Sequence, residues 1–131
     1  MLPHLLELTM NNICSTDITQ TIVESGPRLM KLKLSNINLN SVTDTVCEIL
    51  ETGSPLLQAI DFSWSFLTPA NLEIITYSIL ARKSTIRHLN LSYNKLHPNC
   101  ASSVQVVENL KELFWGASVL CHVRLSGMDF N

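Results

Sequence analysis

Short stretches in which apolar and polar residues alternate recur along the chain, separated by longer segments with helical spacing. One such stretch reads Ile86-Arg-His-Leu89-Asn-Leu91-Ser-Tyr-Asn94-Lys-Leu96. Alternation with a period of two places Leu89 and Leu91 on one face of a short strand. Asn94 follows where the chain turns, and its amide can bond backbone groups of neighbouring turns. The stretch therefore predicts a strand and a turn with an apolar face that a single unit cannot bury alone.

The same order of apolar positions occurs five times. The units start near residues 5, 29, 57, 86 and 120, so the spacings are 24, 28, 29 and 34 residues. The turn position holds asparagine only at Asn94; the other units have Ile13, Ile37, Ser65 and Met128. The alternation predicts five inward-facing pairs, namely Leu8/Met10, Leu32/Leu34, Ile60/Phe62, Leu89/Leu91 and Val123/Leu125.

The pattern LxxLxLxxNxL is the signature of a leucine-rich repeat. With central spacings of 28 and 29 residues, the chain resembles the ribonuclease-inhibitor-like class of that family over nearly its whole length. The resemblance implies an α/β fold, a leucine-rich repeat solenoid (horseshoe) with parallel strands on the concave side and helices on the convex side. We expect a single domain, 1–131, whose two ends both lack an obvious cap.

Between the strands the apolar period changes to about 3.6, which predicts one helix in each interval. The first helix starts near Thr16 with Ile18, Ile22 and Val23 inward, and the second has Ser41 as N-cap, Asp44 three residues on, and Val42, Val46, Ile49 and Leu50 inward. The third helix begins at Thr68-Pro69 and has Leu72, Ile75, Ile79 and Leu80 inward. The fourth helix runs from Pro98 to about Trp115 and has Val104, Val107, Leu110 and Leu113 inward. The last spacing exceeds its predecessor by 34 − 29 = 5 residues. We expect the helical side to contain them, because extra residues in a strand would shift its register.

Composition excludes several classes of function. Apolar residues make up 46% of the chain and charged residues 15%, which is enough for a core, and the net charge of −2 gives no general attraction to nucleic acid or anionic membrane. The four cysteines, Cys14, Cys47, Cys100 and Cys121, form no CxxC pair, so we expect reduced thiols and no zinc site. The start shows no signal peptide and no apolar run is long enough to span a membrane. A cytoplasmic location is expected, with cytoskeletal association as one option.

The outward strand positions form polar, chemically mixed rows across neighbouring units, which suits recognition better than one reaction. One of these rows is Asn11, Ser35, Ser63, Ser92 and Ser126. Trp64 and Tyr93 occupy equivalent positions and form either an exposed aromatic step or lids over the adjacent loop. His88 and His122 are also equivalent, and Asp61 lies nearby, but no third ligand is set by spacing, so surface histidines are favoured over a metal site. We expect no catalytic residues, no metal and no cofactor, because the serines have no predicted base and no phosphate-binding loop is present.

The resemblance implies a protein-interaction module that presents a rigid curved surface to other proteins, within a larger complex, and is not an enzyme. The candidate partner-binding residues are Asp61, Trp64, Arg87, His88 and Tyr93. No nucleic acid, membrane insertion or small-molecule substrate is expected. Two alternatives stay open: a structural subunit of a large assembly, cytoskeletal or ciliary, whose neighbours cover the bare ends, and a regulatory repeat segment of a GTPase-activating or nucleotide-sensor protein.

Overall fold

A computed structural model describes residues 7–11, 24 and 26–129. Its five strands form one parallel sheet in the order of the sequence. The strands are β1 (Glu7–Asn11), β2 (Lys31–Ser35), β3 (Ala59–Asp61), β4 (His88–Asn90) and β5 (His122–Arg124). Equivalent residues of successive units pair in register, for example Leu32 with Ile60, Ile60 with Leu89 and Leu89 with Val123. The repeat positions read from the sequence therefore correctly predict which residues of neighbouring strands pair in the sheet.

Helices fill the intervals between the strands. They are α1 (Thr43–Glu48), α2 (Pro69–Ile79) and α3 (Ala101–Gly116), with 3-10 turns at Gly26–Arg28, Asn40–Val42 and Leu80–Arg82 and a π-helical turn at Ile49–Gly53. Helix α2 packs between α1 and α3, as β3 and β4 lie between β2 and β5. Apolar residues from the strands and all three helices form one core, so the predicted α/β arrangement is confirmed. The interval of the first predicted helix, with Thr16, Ile18, Ile22 and Val23, lies outside the described residues.

Three of the predicted inward pairs line the core: Leu32/Leu34, Ile60/Phe62 and Leu89/Leu91 are each at most 2% exposed. The prediction is wrong for Val123, which is 39% exposed, while Leu125 is half-buried against the core. Strand β5 is the last strand of the described sheet, so within the described residues it pairs with β4 alone. The side chains of Leu8 and Met10 are outside the described part of the chain.

The start of α1 differs from the expected cap. Ser41 makes no capping hydrogen bond and lies in the 3-10 turn that precedes the helix. The Oδ1 of Asn38 instead accepts a hydrogen bond from the N–H of Asn40 at 3.0 Å. Short side chains compete for the free N–H groups at a helix start. The spacing of Ser41 and Asp44 did not indicate that Asn38, rather than Ser41, would accept a hydrogen bond at the start of this turn.

The start of α2 agrees with the prediction. Thr68 is extended, Pro69 occupies the first helical position, and the Thr68 hydroxyl accepts a hydrogen bond from the N–H of Asn71 at 3.2 Å. Proline loses nothing there, because its missing N–H would have no intrahelical partner. This cap sets the direction in which the chain leaves the turn after β3.

The inward stripe of α3 is predicted correctly except at its first residue. Leu110 and Leu113 are buried and Val107 is half-buried against the core, but Val104 is 62% exposed. Val106, which was not in the predicted stripe, is buried as well. The last interval is longer because α3 has 16 residues against 11 in α2. The prediction that the helical side contains the extra residues is confirmed.

No helix in the described ranges combines the length and apolar character that crossing a bilayer requires.

Candidate functional site

Each strand leads into a turn with a left-handed residue at the same position of the repeat. Asn36, Trp64, Tyr93 and Gly127 have φ of 55°, 55°, 64° and 67°. The approach to the turn is also repeated: Asp61 Oδ1 accepts a hydrogen bond from Ser63 N–H at 2.9 Å, and Asn90 Oδ1 accepts one from Ser92 N–H at 3.0 Å. Side chains of this type favour turns because they bond the backbone two residues on.

Trp64 and Tyr93 form a stacked pair, which we call the aromatic step. Their ring centroids are 4.1 Å apart with 14° between the planes, and the two residues are 49% and 45% exposed. Backbone bonds hold both positions, from Trp64 N–H to Ser92 O at 3.0 Å and from Tyr93 N–H to Ser126 O at 2.8 Å. Of the two interpretations of these residues, the structure supports the exposed step.

The next unit has a glycine under the aromatic step. A Cβ at Gly127 would lie 2.5 Å from Cδ1 of Tyr93, so only glycine leaves room for the tyrosine ring. Its left-handed φ also favours glycine. The ring of Tyr93 is thus held between Trp64 and the Gly127 backbone, and it can contact a partner only through its outer edge and its hydroxyl.

Asn94 anchors the turn beside the aromatic step. It is 1% exposed; its Oδ1 accepts from Ser65 N–H at 3.2 Å and Leu67 N–H at 3.1 Å, and its Nδ2 donates to Phe62 O at 2.8 Å and Leu91 O at 3.0 Å. The predicted role of Asn94 in bonding a neighbouring turn is confirmed. Where the preceding unit has serine, the Ser65 hydroxyl donates to Leu34 O at 2.7 Å and serves part of the same purpose.

A groove of about 430 Å³ crosses the outward face of the sheet over β3, β4 and β5, and we call it the sheet groove. Its polar and small lining residues are Lys31, Ala59, Asp61, His88, Asn90, His122 and Arg124. Ala59 lies in register between Lys31 and His88, and its small side chain leaves the floor open. The rings of His88 and His122 stack with centroids 4.8 Å apart and 9° between planes.

The carboxylate of Asp61 is occupied by contacts within the protein. One oxygen accepts from Ser63 N–H, and the other accepts from Asn90 Nδ2 at 3.4 Å and lies 3.9 Å from Lys33 Nζ. Its side chain is 19% exposed. Asp61 therefore positions the turn and offers little free charge to a ligand.

The five residues predicted to bind a partner divide into two groups. Asp61 and His88 line the sheet groove, and Trp64 and Tyr93 form the aromatic step near the ends of the same strands. Arg87 is exposed next to His88 but does not line the groove. At the start of β4, Gln58 O accepts from both Arg87 N–H and His88 N–H, at 2.7 and 3.1 Å, and Met30 O and Arg87 O accept in the same way at the starts of β3 and β5.

Sequence reasoning missed Arg124 and His122 as groove residues, although the register that pairs them with Asn90 and His88 was readable from the repeat. It also placed a row of serines on the outward face. Ser35, Ser63 and Ser92 are instead buried, and only Ser126 of the described row is exposed. The buried serines lie where the chain bends from strand into turn, so alternation no longer assigns them a face.

The thiols differ in environment, and no disulfide joins the three described cysteines. Burial raises the pKa of Cys47, partly opposed by a hydrogen bond with Ser78. Cys100 precedes α3, and the backbone N–H groups of Ser103 and Ser102 lower its pKa. Among the described residues, no three histidine, cysteine or acidic side chains come close enough together to hold a metal ion.

Comparison with known proteins identifies a fold. No family model matches the chain, and no curated protein matches it. Among solved structures, the tropomodulin C-terminal domain from Caenorhabditis elegans matches with a TM-score of 0.71 and 22% identity, over 93% of this chain and 74% of that one. At this identity the match speaks for the backbone arrangement alone. The chain thus has a leucine-rich-repeat-like α/β fold similar to that domain.

Proposed function

We propose that this chain is a protein-interaction module without chemistry of its own, and that its partner contacts the outward face of the sheet. The observation that carries the proposal is the aromatic step, two half-exposed aromatic rings held in fixed positions on adjacent strands. Aromatic side chains dominate binding energy at typical protein interfaces. Rigid side chains also lose little entropy when a partner binds.

We further propose that the repeats curve into a horseshoe with the strands on the concave side. Helices pack about 10 Å apart and strands about 4.8 Å apart. A stack that joins one strand to one helix per unit must bend toward its strands. Asp61, Trp64, Arg87, His88 and Tyr93 would then face a partner seated in the concavity, with Asp61 serving mainly to position its neighbours.

The experiment replaces the aromatic step without disturbing the turns. Asn36 has the same left-handed φ of 55° at the equivalent position, so Trp64→Asn with Tyr93→Asn should keep the backbone. The wild-type chain and the variant are used to capture proteins from a cell extract, and quantitative mass spectrometry compares what each retains. We expect the double variant to lose the specific partner, whose direct binding to purified protein is then measured.

Tyr77→Ser is the matched control, since it removes an aromatic residue that is 65% exposed on α2, on the helical side. The control should capture the same partner as the wild type. If the double variant has the wild-type denaturation midpoint and binds the partner with unchanged affinity, the proposal is wrong.

A second candidate function is a fixed subunit of a larger assembly, cytoskeletal assemblies included. The observation that favours it is the apolar surface at the β5 and α3 end of the described sheet, where Val104, Phe114, Trp115 and Val123 are 62%, 42%, 95% and 39% exposed. Exposed apolar surface of this kind marks contact sites. The mass of the isolated chain in solution separates the two candidates: a stable monomer supports the interaction module, and association supports the assembly subunit.

A further inference from the structure

The distribution of charge in the fold differs from what the net charge indicates. The strands β2 to β5 carry Lys31, Lys33 and Arg124 against one acid, Asp61, and add His88 and His122. The three α-helices carry five acidic residues, Asp44, Glu48, Glu73, Glu108 and Glu112, against Lys111 alone. The outward sheet face is therefore basic while the helical side is acidic, and the overall charge of −2 hides the difference.

The basic character is concentrated at the β4 and β5 end of the sheet groove. Asp61 is engaged by Lys33, Asn90 and the Ser63 N–H. Among the described residues, no carboxylate lies within 4 Å of the side-chain nitrogens of Arg124 or Arg87. Arg124 and Arg87, which have no acidic partner among the described residues, thus lie next to His122 and His88.

We propose that the sheet groove binds a carboxylate-rich segment of a partner protein, with Arg124 and the stacked His88 and His122 receiving its carboxylates. This deepens the proposed interaction function and rests on it. A guanidinium can hold a carboxylate through two parallel hydrogen bonds, and imidazole N–H groups donate to the same oxygens. Ala59 leaves room for the segment to lie across the strands above the groove floor.

The same cations could attract a nucleic acid, but the structure favours a peptide. Nucleic-acid binders neutralise several phosphates and offer free aromatic faces for base stacking. Among the described residues, the groove is lined by Asp61 and by no phenyl, phenol or indole ring, and Trp64 and Tyr93 already stack on each other.

The test measures binding of a fluorescein-labelled oligoglutamate peptide to the whole chain at low salt. We expect saturable binding that weakens as salt screens the charges. Arg124→Gln should weaken it about two- to five-fold, the range for a single partly exposed ion pair. Lys111→Gln makes the same change in net charge on the helical side, and it should leave binding unchanged.

Two further variants make the test specific to the groove. Asp61→Asn keeps the oxygen that accepts from Ser63 N–H, as Asn90 does at the equivalent position, and removes the negative charge. We expect this variant to bind oligoglutamate more tightly than the wild type. Ala59→Leu fills the floor of the groove at a half-exposed position and should weaken binding without unfolding the chain.

Absence of saturable oligoglutamate binding would overturn the proposal, as would equal losses from Arg124→Gln and Lys111→Gln. Tighter binding of oligothymidylate, lost in Arg124→Gln, would assign the groove to nucleic acid and overturn it as well. These results are distinguishable from failure of the interaction function. Suppose that Trp64→Asn with Tyr93→Asn abolishes partner capture while Arg124→Gln leaves partner capture unchanged. The proposed interaction function is then supported, and the proposal that the groove binds an acidic segment is wrong.

Discussion

Asn94 shows how one side chain joins two units of the repeat. Its amide bonds five backbone groups, of which three belong to the preceding unit, at Phe62, Ser65 and Leu67. Those groups lie beyond the regular sheet pairing, and burial prevents water from serving them. The asparagine thus connects the strand ladder to the turns that carry the aromatic step.

Asn94→Ala should lower the free energy of unfolding by about 2–4 kcal/mol, because it leaves buried donors and acceptors unpaired. Asn94→Ser should cost less, since the hydroxyl of Ser65 bonds a neighbouring unit at the equivalent position. Urea denaturation followed by circular dichroism measures both. A loss below about 0.5 kcal/mol for Asn94→Ala would show that the network contributes little beyond what ordinary surface substitutions do.

At the scale of an element, α2 illustrates agreement between local signals and packing. Thr68 and Pro69 define its start, and Leu72, Ile75 and Ile79 are fully buried against the sheet and neighbouring helices. Contacts with α3 are partly polar: Asn109 of α3 donates to Glu73 O at 3.1 Å and to Thr76 Oγ1 at 3.0 Å. The cap and this polar contact together set how α2 lies between its neighbours.

Thr68→Ala should destabilise the chain by about 1 kcal/mol, the usual cost of losing an N-cap acceptor. Thr68→Ser retains the hydroxyl and is the control, expected to stay within about 0.5 kcal/mol of the wild type. Thermal and urea unfolding of the three proteins provide the comparison. Equal stability of the alanine and serine variants would mean that Pro69 and packing alone determine where α2 begins.

At the scale of the whole molecule, three parts of the surface differ in chemical character: the sheet face is basic, the helical side is acidic, and the end formed by β5 and α3 is apolar. The end surface follows from the stacking itself, since each helix offers one side to the preceding helix and the opposite side to whatever comes next. On α3, Val104 is 62% exposed, and Trp115 near the end of the helix is 95% exposed. Val123 of β5 adds to the same end.

For the second candidate function, the subunit of a larger assembly, we predict that the isolated chain associates through this end as its concentration rises. Val104→Gln with Trp115→Gln should reduce association, because it removes two exposed apolar side chains while α3 keeps its buried stripe. Light scattering across a dilution series measures the mass, and Tyr77→Ser is the control for loss of an exposed aromatic residue elsewhere. A wild-type chain that stays monomeric at high concentration would contradict the prediction.

The sequence by itself determined the repeat, the register of the sheet, the helical intervals and the start of α2. These features rest on local rules, since alternation, capping and proline position depend on residues within one unit. Repetition strengthens them, as each unit is independent evidence for the same pattern. The pairing of Trp64 with Tyr93 and of His88 with His122 follows from that register.

Only the tertiary structure decided that α3 buries Val106 and exposes Val104, that Asn38 rather than Ser41 bonds the start of the turn before α1, and that three serines of the outward row are buried. Each outcome depends on a neighbour that the local pattern does not contain. The separation of charge between the faces of the fold arises in the same way. A net charge sums over the chain, whereas the field that a partner meets depends on which side chains the fold brings to one surface.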